Sequence, residues 1–231
     1  AKAALKAGAK MLVHSVWDLP VDQEFLDLAK RNGTLYCPTL TVGRGYVRLF
    51  QGALGRSTPA VDDPNGCVDK ETLARVAETA QVGSGSLTGE QLAATSARTT
   101  QREETAAANL RRVAEAGIPV VMGTDAGKPL TLHGPAVYAE MEAMQRAGLT
   151  PSAVLSASTH GGAVALGRDK ELGTLEKGKL ADLLVVAADP TADIKNLRQV
   201  RYVVRGGVMR SIAELAALAA PPPSLPAPAG H

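Results

Sequence analysis

Short apolar runs alternate with longer amphipathic segments along the first 165 residues of the chain. The runs are KMLVH, TLYCPTL and IPVVMG, at residues 10–14, 34–40 and 118–123. Runs of this length and continuous apolarity are typical of strands that are buried on both faces of a parallel sheet. Around them, apolar residues recur at helical spacing, which predicts helices at residues 2–7, 21–33, 95–116, 135–147 and 151–158. This order predicts parallel strands joined by right-handed crossovers.

Residues 42–92 interrupt this alternation. Glycine, proline and polar residues are scattered through them, and the helical periodicity is weaker, near residues 46–54 and 70–80. A loop of such length in a compact domain is usually functional or disordered. We interpret the segment as an insertion after the end of a strand, where it would shape substrate choice.

The pattern changes again after residue 165. Residues 171–187 and 200–210 are rich in β-branched residues and are broken by Gly-Lys and Gly-Gly turns, which predicts antiparallel strands of a small β layer. The chain ends in PPPSLPAPAGH, a composition that cannot build a core. The sequence therefore predicts three parts, an α/β unit at 1–165, a β layer at 166–212 and a disordered Pro/Ala tail at 213–231.

Composition excludes some classes of partner. With 45% hydrophobic residues among 231, the chain can bury a normal core. A net charge of +2 and an aromatic content of 3% argue against nucleic acid as a ligand. No apolar run approaches the roughly 20 residues of a membrane span.

The chain starts with Ala1, already inside a helical pattern, and we expect it to be the C-terminal part of a longer protein. A signal peptide would lie in the missing part, so both a cytoplasmic and an exported location stay open. Cys37 and Cys67 match no metal-binding spacing, and they are read as reduced thiols or, in an exported protein, as one disulfide. A homo-oligomer is also left open.

A histidine and an aspartate each follow one of the apolar runs. His14 ends the first run, and Asp125 comes just after the third, in the sequence GTDAG. In a parallel α/β barrel the carboxyl ends of the strands share one face, so these residues can meet although they are far apart in sequence. Together they suit a divalent metal such as zinc. The alternatives are a hydrogen-bonded core histidine and an aspartate that only forms a turn or caps a helix.

Three further residues are candidates for binding a substrate. Trp17 lies just beyond His14 and would line the mouth of a site, or else pack within its loop. Lys128 would bind an acidic group of a substrate, or else be a solvated loop lysine. His133, in the sequence LHGP, would contact substrate, or else have only a role in its loop.

The segments KAGAKMLVHSVWD, YCPTL and VVMGTDAG, with LHG after the last, resemble strands six, seven and eight of an amidohydrolase-superfamily barrel. The run GTLEKGKLADLLVVAADPTADIKNLRQVRYVVRGGVMR is similar to the C-terminal signature of the same superfamily. Within it, the chain looks closest to the imidazolonepropionase-like and prolidase-like members.

The resemblance implies a fold and a set of residue roles. The fold is α/β, comprising about strands six to eight of a TIM-like (β/α)8 barrel and part of a small β-sandwich. His14 corresponds to the metal-binding histidine of strand six. Asp125 corresponds to the aspartate of strand eight, which binds the metal and transfers the proton, and His133 to a loop histidine that contacts substrate. One or two zinc ions are implied, and the remaining metal ligands would precede residue 1.

The resemblance also implies an activity. We expect a metal-dependent hydrolase that cleaves a C–N bond in a small amide, dipeptide-like or cyclic amide substrate by means of an activated water. The alternatives are a deaminase of the same superfamily, which attacks a C=N ring carbon, and a non-catalytic homologue. For the hydrolase reading, we expect residues 1–231 alone to be inactive. A further alternative, that these residues alone form a stable binding module, is less in keeping with the open edge of the first strand.

Overall fold

The computed structural model describes residues 1–83, 85 and 87–219. The first half of the α/β unit consists of α1 (Lys2–Lys6), β1 (Met11–Val13), α2 (Gln23–Asn32) and β2 (Leu35–Cys37). Strands β1 and β2 pair in parallel, as the alternation of strand and helix predicts. Helix α2 begins where the Asp22 side chain accepts a hydrogen bond from Phe25 N, and it ends at Gly33 in the left-handed conformation.

The third predicted strand, at residues 118–123, is wrong in its extent. It forms only a single parallel bridge, in which Val120 lies opposite Tyr36. The chain then leaves the sheet, because Met122 N donates to Ala157 O of a helix instead of to a neighbouring strand. The prediction that every strand is buried on both faces is also wrong for β1, where Met11 and Val13 are exposed.

The segment at residues 42–92 is largely helical. It contains α3 (Val42–Gly55), α4 (Lys70–Glu78), a 3-10 turn (Thr79–Gln81) and the start of α5 (Gly89–Glu115). The predicted start of α5 at residue 95 is wrong, because the Thr88 and Gln91 side chains each accept a hydrogen bond from the other's backbone N–H. This capping box begins the helix six residues earlier. Helices α3 and α5 pack against each other.

The rest of the described chain consists of α6 (Pro135–Arg146), α7 (Pro151–Ser158), α8 (His160–Ala165), β3 (Leu183–Val186), a 3-10 segment (Ile194–Arg198), β4 (Val200–Arg205), β5 (Val208–Ser211) and α9 (Ile212–Ala219). Strands β3, β4 and β5 form an antiparallel sheet in that order, as predicted. Of the β-rich residues 171–187, only the last part pairs as a strand, because turns fill the remainder.

The predicted disordered tail cannot begin at residue 213, because α9 continues to Ala219. Ser211 Oγ accepts a hydrogen bond from Glu214 N, and Glu214 Oε2 accepts one from Ser211 N. This reciprocal cap starts a helix in the run IAELAALA. The rest of the predicted tail, residues 220–231, lies outside the described part of the chain.

One apolar core joins α2, α5, α6 and α7 to β2. The rings of Phe25 and Tyr36 pack edge to face in it, with centroids 6.4 Å apart. Two polar side chains, Asn109 and Glu140, are buried in the same region. Within the described ranges, no helix has both the length and the apolarity needed to cross a bilayer.

Candidate functional site

A cavity of about 390 Å³ opens at the carboxyl ends of β1 and β2. Its wall includes His14, Trp17, Thr39, Asp125 and Lys128. Four of the five residues singled out from the sequence therefore lie together at this cavity. The parallel pairing explains why, since the carboxyl ends of neighbouring parallel strands lie on one side of a sheet.

His14 is held where β1 ends. Its backbone N–H donates to Cys37 O at 2.9 Å, and Ser15 N donates to Pro38 O at 2.8 Å, so the pairing with the next segment continues past the strand. The imidazole Nδ1 is hydrogen-bonded to Thr39 Oγ1 at 2.7 Å. In the tautomer with the proton on Nδ1, the hydroxyl oxygen accepts, and Nε2 keeps its lone pair for a ligand.

Three residues of the cavity wall have a left-handed backbone although none is glycine. The φ angles are 73° for His14, 47° for Thr39 and 53° for Asp125. This conformation costs roughly 1–2 kcal/mol per residue for an L-amino acid. Strain of this kind concentrates at functional sites, where the surrounding structure holds it in place.

The donor chemistry of His14 and Asp125 fits a divalent metal, but the number of donors is incomplete. An imidazole nitrogen and a carboxylate are ligands that zinc accepts, and structural and catalytic zinc sites use three or four protein ligands. Over residues 1–83, 85 and 87–219, no group of three or more His, Cys, Asp or Glu side chains could hold a metal ion. The described chain therefore offers two ligand positions and not a closed site.

His133 is the predicted site residue that lies apart from the cavity. Its side chain is exposed, and its Nε2 lies 3.8 Å from where a Cβ on Gly127 would be. The histidine thus lies beside the loop that follows Asp125, and it is not among the residues of the cavity wall. Its contact with substrate stays a prediction.

Glu140 is a buried residue that the sequence analysis missed. Its Oε1 accepts a hydrogen bond from Leu40 N at 2.6 Å, and its Oε2 accepts from Thr41 N at 3.0 Å and Thr41 Oγ1 at 2.9 Å. Burial raises the pKa of the Glu140 carboxyl, and these hydrogen bonds oppose the rise. The carboxylate fixes the segment after β2, which carries Thr39. Glu140 could have been recognised from the sequence as a glutamate on the apolar face of α6, one residue before Met141.

The two cysteines are free thiols, so the disulfide alternative does not apply. Cys37 is buried at the end of β2, whereas Cys67 is exposed. Burial, and then the nearby charge of Glu140, raise the pKa of the Cys37 thiol to about 11. Cys37 is therefore protonated at neutral pH, which argues against a nucleophilic role.

Asn109 is a second buried residue that the sequence analysis missed. Its Nδ2 donates to Val16 O at 2.7 Å and Leu19 O at 2.9 Å, and its Oδ1 accepts from Val21 N at 2.8 Å. These hydrogen bonds attach the loop that carries Trp17 to helix α5. An asparagine within the apolar stripe of α5 was the signal that could have revealed it.

Helix α3 packs closely against the loop that follows Asp125 at Gly45. A Cβ on Gly45 would overlap Pro129 O and lie 2.9 Å from Thr131 Oγ1. The backbones are thus in contact, with no room for a side chain. Gly45 sets the distance between this loop and the helix that carries Tyr46, another residue of the cavity wall.

Replacing Gly45 with alanine is expected to lower the free energy of unfolding by about 1–3 kcal/mol, because the added methyl group must displace the backbone of Pro129. Urea unfolding of both proteins measures the difference. Gly55→Ala is the matched control at the end of the same helix, where the nearest atom, Ser57 Oγ, would lie 3.5 Å from the new Cβ. We expect the control to be neutral or stabilising. Equal stability of the Gly45→Ala variant and the natural protein would contradict the close packing.

The chain is similar in sequence to characterised proteins. The chain is 34% identical to an imidazolonepropionase of Geobacillus kaustophilus over 114 residues, which are 45% of this chain and 25% of that protein. It is 27% identical to an ochratoxinase of Aspergillus niger over 209 residues, 89% of this chain and 34% of the relative. The chain thus spans about a quarter to a third of the length of these relatives.

The fold is also similar to that of a Xaa-Pro dipeptidase crystallised with methionine in its active site. The two share 26% identity with a TM-score of 0.62, over 91% of this chain and 42% of the dipeptidase. Residues 63–210, more than half of the chain and including Asp125, match the model of the amidohydrolase family. The chain therefore belongs to the amidohydrolase family.

Proposed function

We propose that this chain contributes His14 and Asp125 to the active site of a metal-dependent hydrolase that cleaves a C–N bond. The observation that carries the proposal is their convergence on one cavity at the carboxyl ends of β1 and β2. Membership of the amidohydrolase family supports it, as does the similarity to a dipeptidase, an enzyme class that cleaves an amide bond. The substrate class is a small amide, dipeptide-like or cyclic amide.

Members of the family typically use a divalent metal ion, and zinc is the metal that we propose here, as one or two ions. His14 Nε2 and the Asp125 carboxylate are the side-chain atoms of this chain that would hold it. A bound zinc ion would supply positive charge that makes water acidic near neutral pH and polarises a carbonyl group. Further ligands must come from outside the described residues or from substrate and water.

The residues of the chain then have separate tasks. Asp125 accepts the proton of the attacking water and passes it to the leaving nitrogen, as general base and then general acid. Thr39 orients the His14 ring through the Nδ1 hydrogen bond. Glu140 holds the segment that carries Thr39, and so supports that orientation.

The strands of the chain also have proposed places in the fold of the whole enzyme. We propose that β1, β2 and the bridge at Val120 correspond to strands six, seven and eight of a (β/α)8 barrel. Strands β3, β4 and β5 would belong to the small β-sandwich. The helix at residues 42–55 brings Tyr46 to the cavity wall, in keeping with the prediction that the segment at 42–92 shapes substrate choice.

Hydrolysis assays with and without metal test the proposed function. The protein that contains this chain, together with the segment that supplies the further metal ligands, is incubated with dipeptides and N-acetyl amino acids, and release of the amine is measured. We expect turnover that a chelator removes and that added Zn²⁺ restores, because the reaction depends on the positive charge of the bound metal ion. Added Mg²⁺, which prefers oxygen ligands, is expected to restore much less. Turnover that is unaffected by chelation would contradict the metal-dependent reaction.

A further inference from the structure

Arg102 and Trp17 form a stacked pair at the cavity that contains His14 and Asp125. The Arg102 guanidinium carbon lies 4.0 Å from the centroid of the Trp17 ring. Both side chains line the cavity, and Trp17 is 45% exposed. The stack therefore lies where an entering ligand can reach it.

Trp17 is on a loop that is held in place. Asn109 of α5 donates two hydrogen bonds to backbone oxygens of this loop, and Val16 N donates to the hydroxyl of Tyr36 at 3.0 Å. Arg102 is seven residues before Asn109, which places both on the same side of α5. One helix therefore fixes the loop and also provides the cation that covers the tryptophan.

The charges around the cavity favour a negatively charged ligand at the stack. Over the described residues, neither Arg102 nor Lys128 forms an ion pair. The acidic neighbour Glu103, which also lines the cavity, is engaged by Arg44 at 2.7 Å. Burial raises the pKa of the Glu103 carboxyl, and the hydrogen bond and positive charge of Arg44 oppose the rise. Among the described residues, these two cations of the wall form no ion pair, and the remaining wall carboxylate, Asp125, is the proposed metal ligand.

The stacking geometry favours a carboxylate in particular. A guanidinium that lies on an aromatic ring uses its face for the stack and keeps the N–H donors at its edge available. Two of these donors match the two oxygens of a planar carboxylate. The ring also limits the rotamers of the arginine, so less conformational entropy is lost on binding.

We propose that Arg102, stacked on Trp17, is the specificity-determining residue of a carboxylate subsite at the mouth of this cavity, with Lys128 adding positive charge. The enzyme would therefore prefer amide substrates that carry a free carboxylate away from the bond that is cleaved. The inference rests on the proposed function for its reaction, but the subsite can be tested by binding alone.

Trp17 provides the readout, because it is the only tryptophan in the chain. Its fluorescence is followed while N-acetylglycine or its uncharged analogue, N-acetylglycinamide, is added at constant ionic strength. A chelator is present throughout, so that the probe cannot bind a metal ion. We expect a saturable change with the acid, at a Kd at least about tenfold lower than that of the amide.

Variants of Arg102 separate the subsite from general charge attraction. Arg102→Gln is expected to raise the Kd for the acid by about tenfold or more and to leave that for the amide unchanged. Arg102→Lys keeps the charge but lacks the planar set of N–H donors that matches a carboxylate. We expect it to recover only part of the affinity for the acid. Arg112→Gln, an exposed arginine on the same helix and outside the cavity wall, is the matched control and should behave like the natural chain.

Equal binding of the acid and the amide by the natural chain would overturn the subsite. A preference for the acid that survives in Arg102→Gln, or that falls equally in Arg112→Gln, would overturn the assignment to Arg102. Neither measurement requires turnover. Failure of the hydrolysis assay would therefore reject the proposed reaction and leave this binding result to be judged separately.

Discussion

Replacement of Asp125 with asparagine is expected to lower kcat by about 10²–10⁴-fold, because an amide can neither accept nor donate the proton that the reaction moves. The substitution also weakens the proposed zinc site, so kcat is compared at saturating Zn²⁺, and the backbone is expected to change little. Asparagine tolerates a positive φ, so the backbone at 53° can be kept. We expect the free energy of unfolding to change by less than about 0.5 kcal/mol.

The assay for this variant is amine release from the best substrate of the hydrolysis series, together with urea unfolding. Asp27→Asn is the control, since Asp27 is exposed on α2 and its Oδ1 accepts a hydrogen bond from Gln23 Nε2 in the same helix. The control should retain full activity. A kcat within about threefold of the natural value in Asp125→Asn would show that Asp125 does not move the proton.

The second large effect is expected at Glu140. Removal of its side chain in Glu140→Ala leaves three donors without their acceptor, namely the buried N–H group of Leu40 and the partly buried N–H group and hydroxyl of Thr41. The substitution also leaves a cavity in the core. We expect a loss of about 3–5 kcal/mol in the free energy of unfolding, a large part of the stability of a typical domain.

Glu140→Gln keeps the shape of the side chain, so it measures the contribution of the hydrogen bonds without that of a cavity. One carboxylate oxygen becomes an NH₂ group that faces a backbone N–H, so a loss of about 1–3 kcal/mol is expected even without a cavity. Urea unfolding measures both variants, with the exposed Glu104→Gln as control. If both Glu140 variants were as stable as the control, the proposed anchoring of the segment after β2 would be wrong.

Local patterns in the sequence were sufficient to locate most elements. The apolar runs at 10–14 and 34–40 contain β1 and β2, and the parallel pairing follows from the intervening helix. The third run at 118–123 was misjudged, because its continuation as a strand depends on hydrogen-bond partners that its own residues do not reveal. Met122 N instead donates to Ala157 O, a contact that periodicity cannot predict.

Helix ends were misjudged where side chains cap the backbone. The exchange between Thr88 and Gln91 starts α5 within a stretch of low apolarity, and the one between Ser211 and Glu214 starts α9 just before the Pro/Ala segment. Both caps follow the Ser/Thr-x-x-Glu/Gln pattern. These helix starts could have been predicted by giving that pattern more weight than the hydrophobic period.

The candidate site was predicted only in part. His14 and Asp125 could be located because each follows an apolar run, and the structure places both at one cavity. Glu140, Asn109 and Arg102 act on segments that are far away in sequence, and one sequence does not contain those pairings. The first two could have been noticed as polar residues on apolar helix faces, whereas nothing in the sequence distinguishes Arg102 from other exposed arginines.

The most direct test of the account is the zinc affinity of the protein that contains this chain and the further metal ligands, compared with that of its variants by competition with a chromophoric chelator. We predict that His14→Asn and Asp125→Asn each raise the Kd for zinc by about tenfold or more, whereas His133→Asn, outside the cavity wall, leaves it unchanged. Asparagine is chosen at position 14 because it tolerates the left-handed backbone there. Equal zinc affinity in the natural chain and in both cavity variants would contradict the claim that His14 and Asp125 form one metal site.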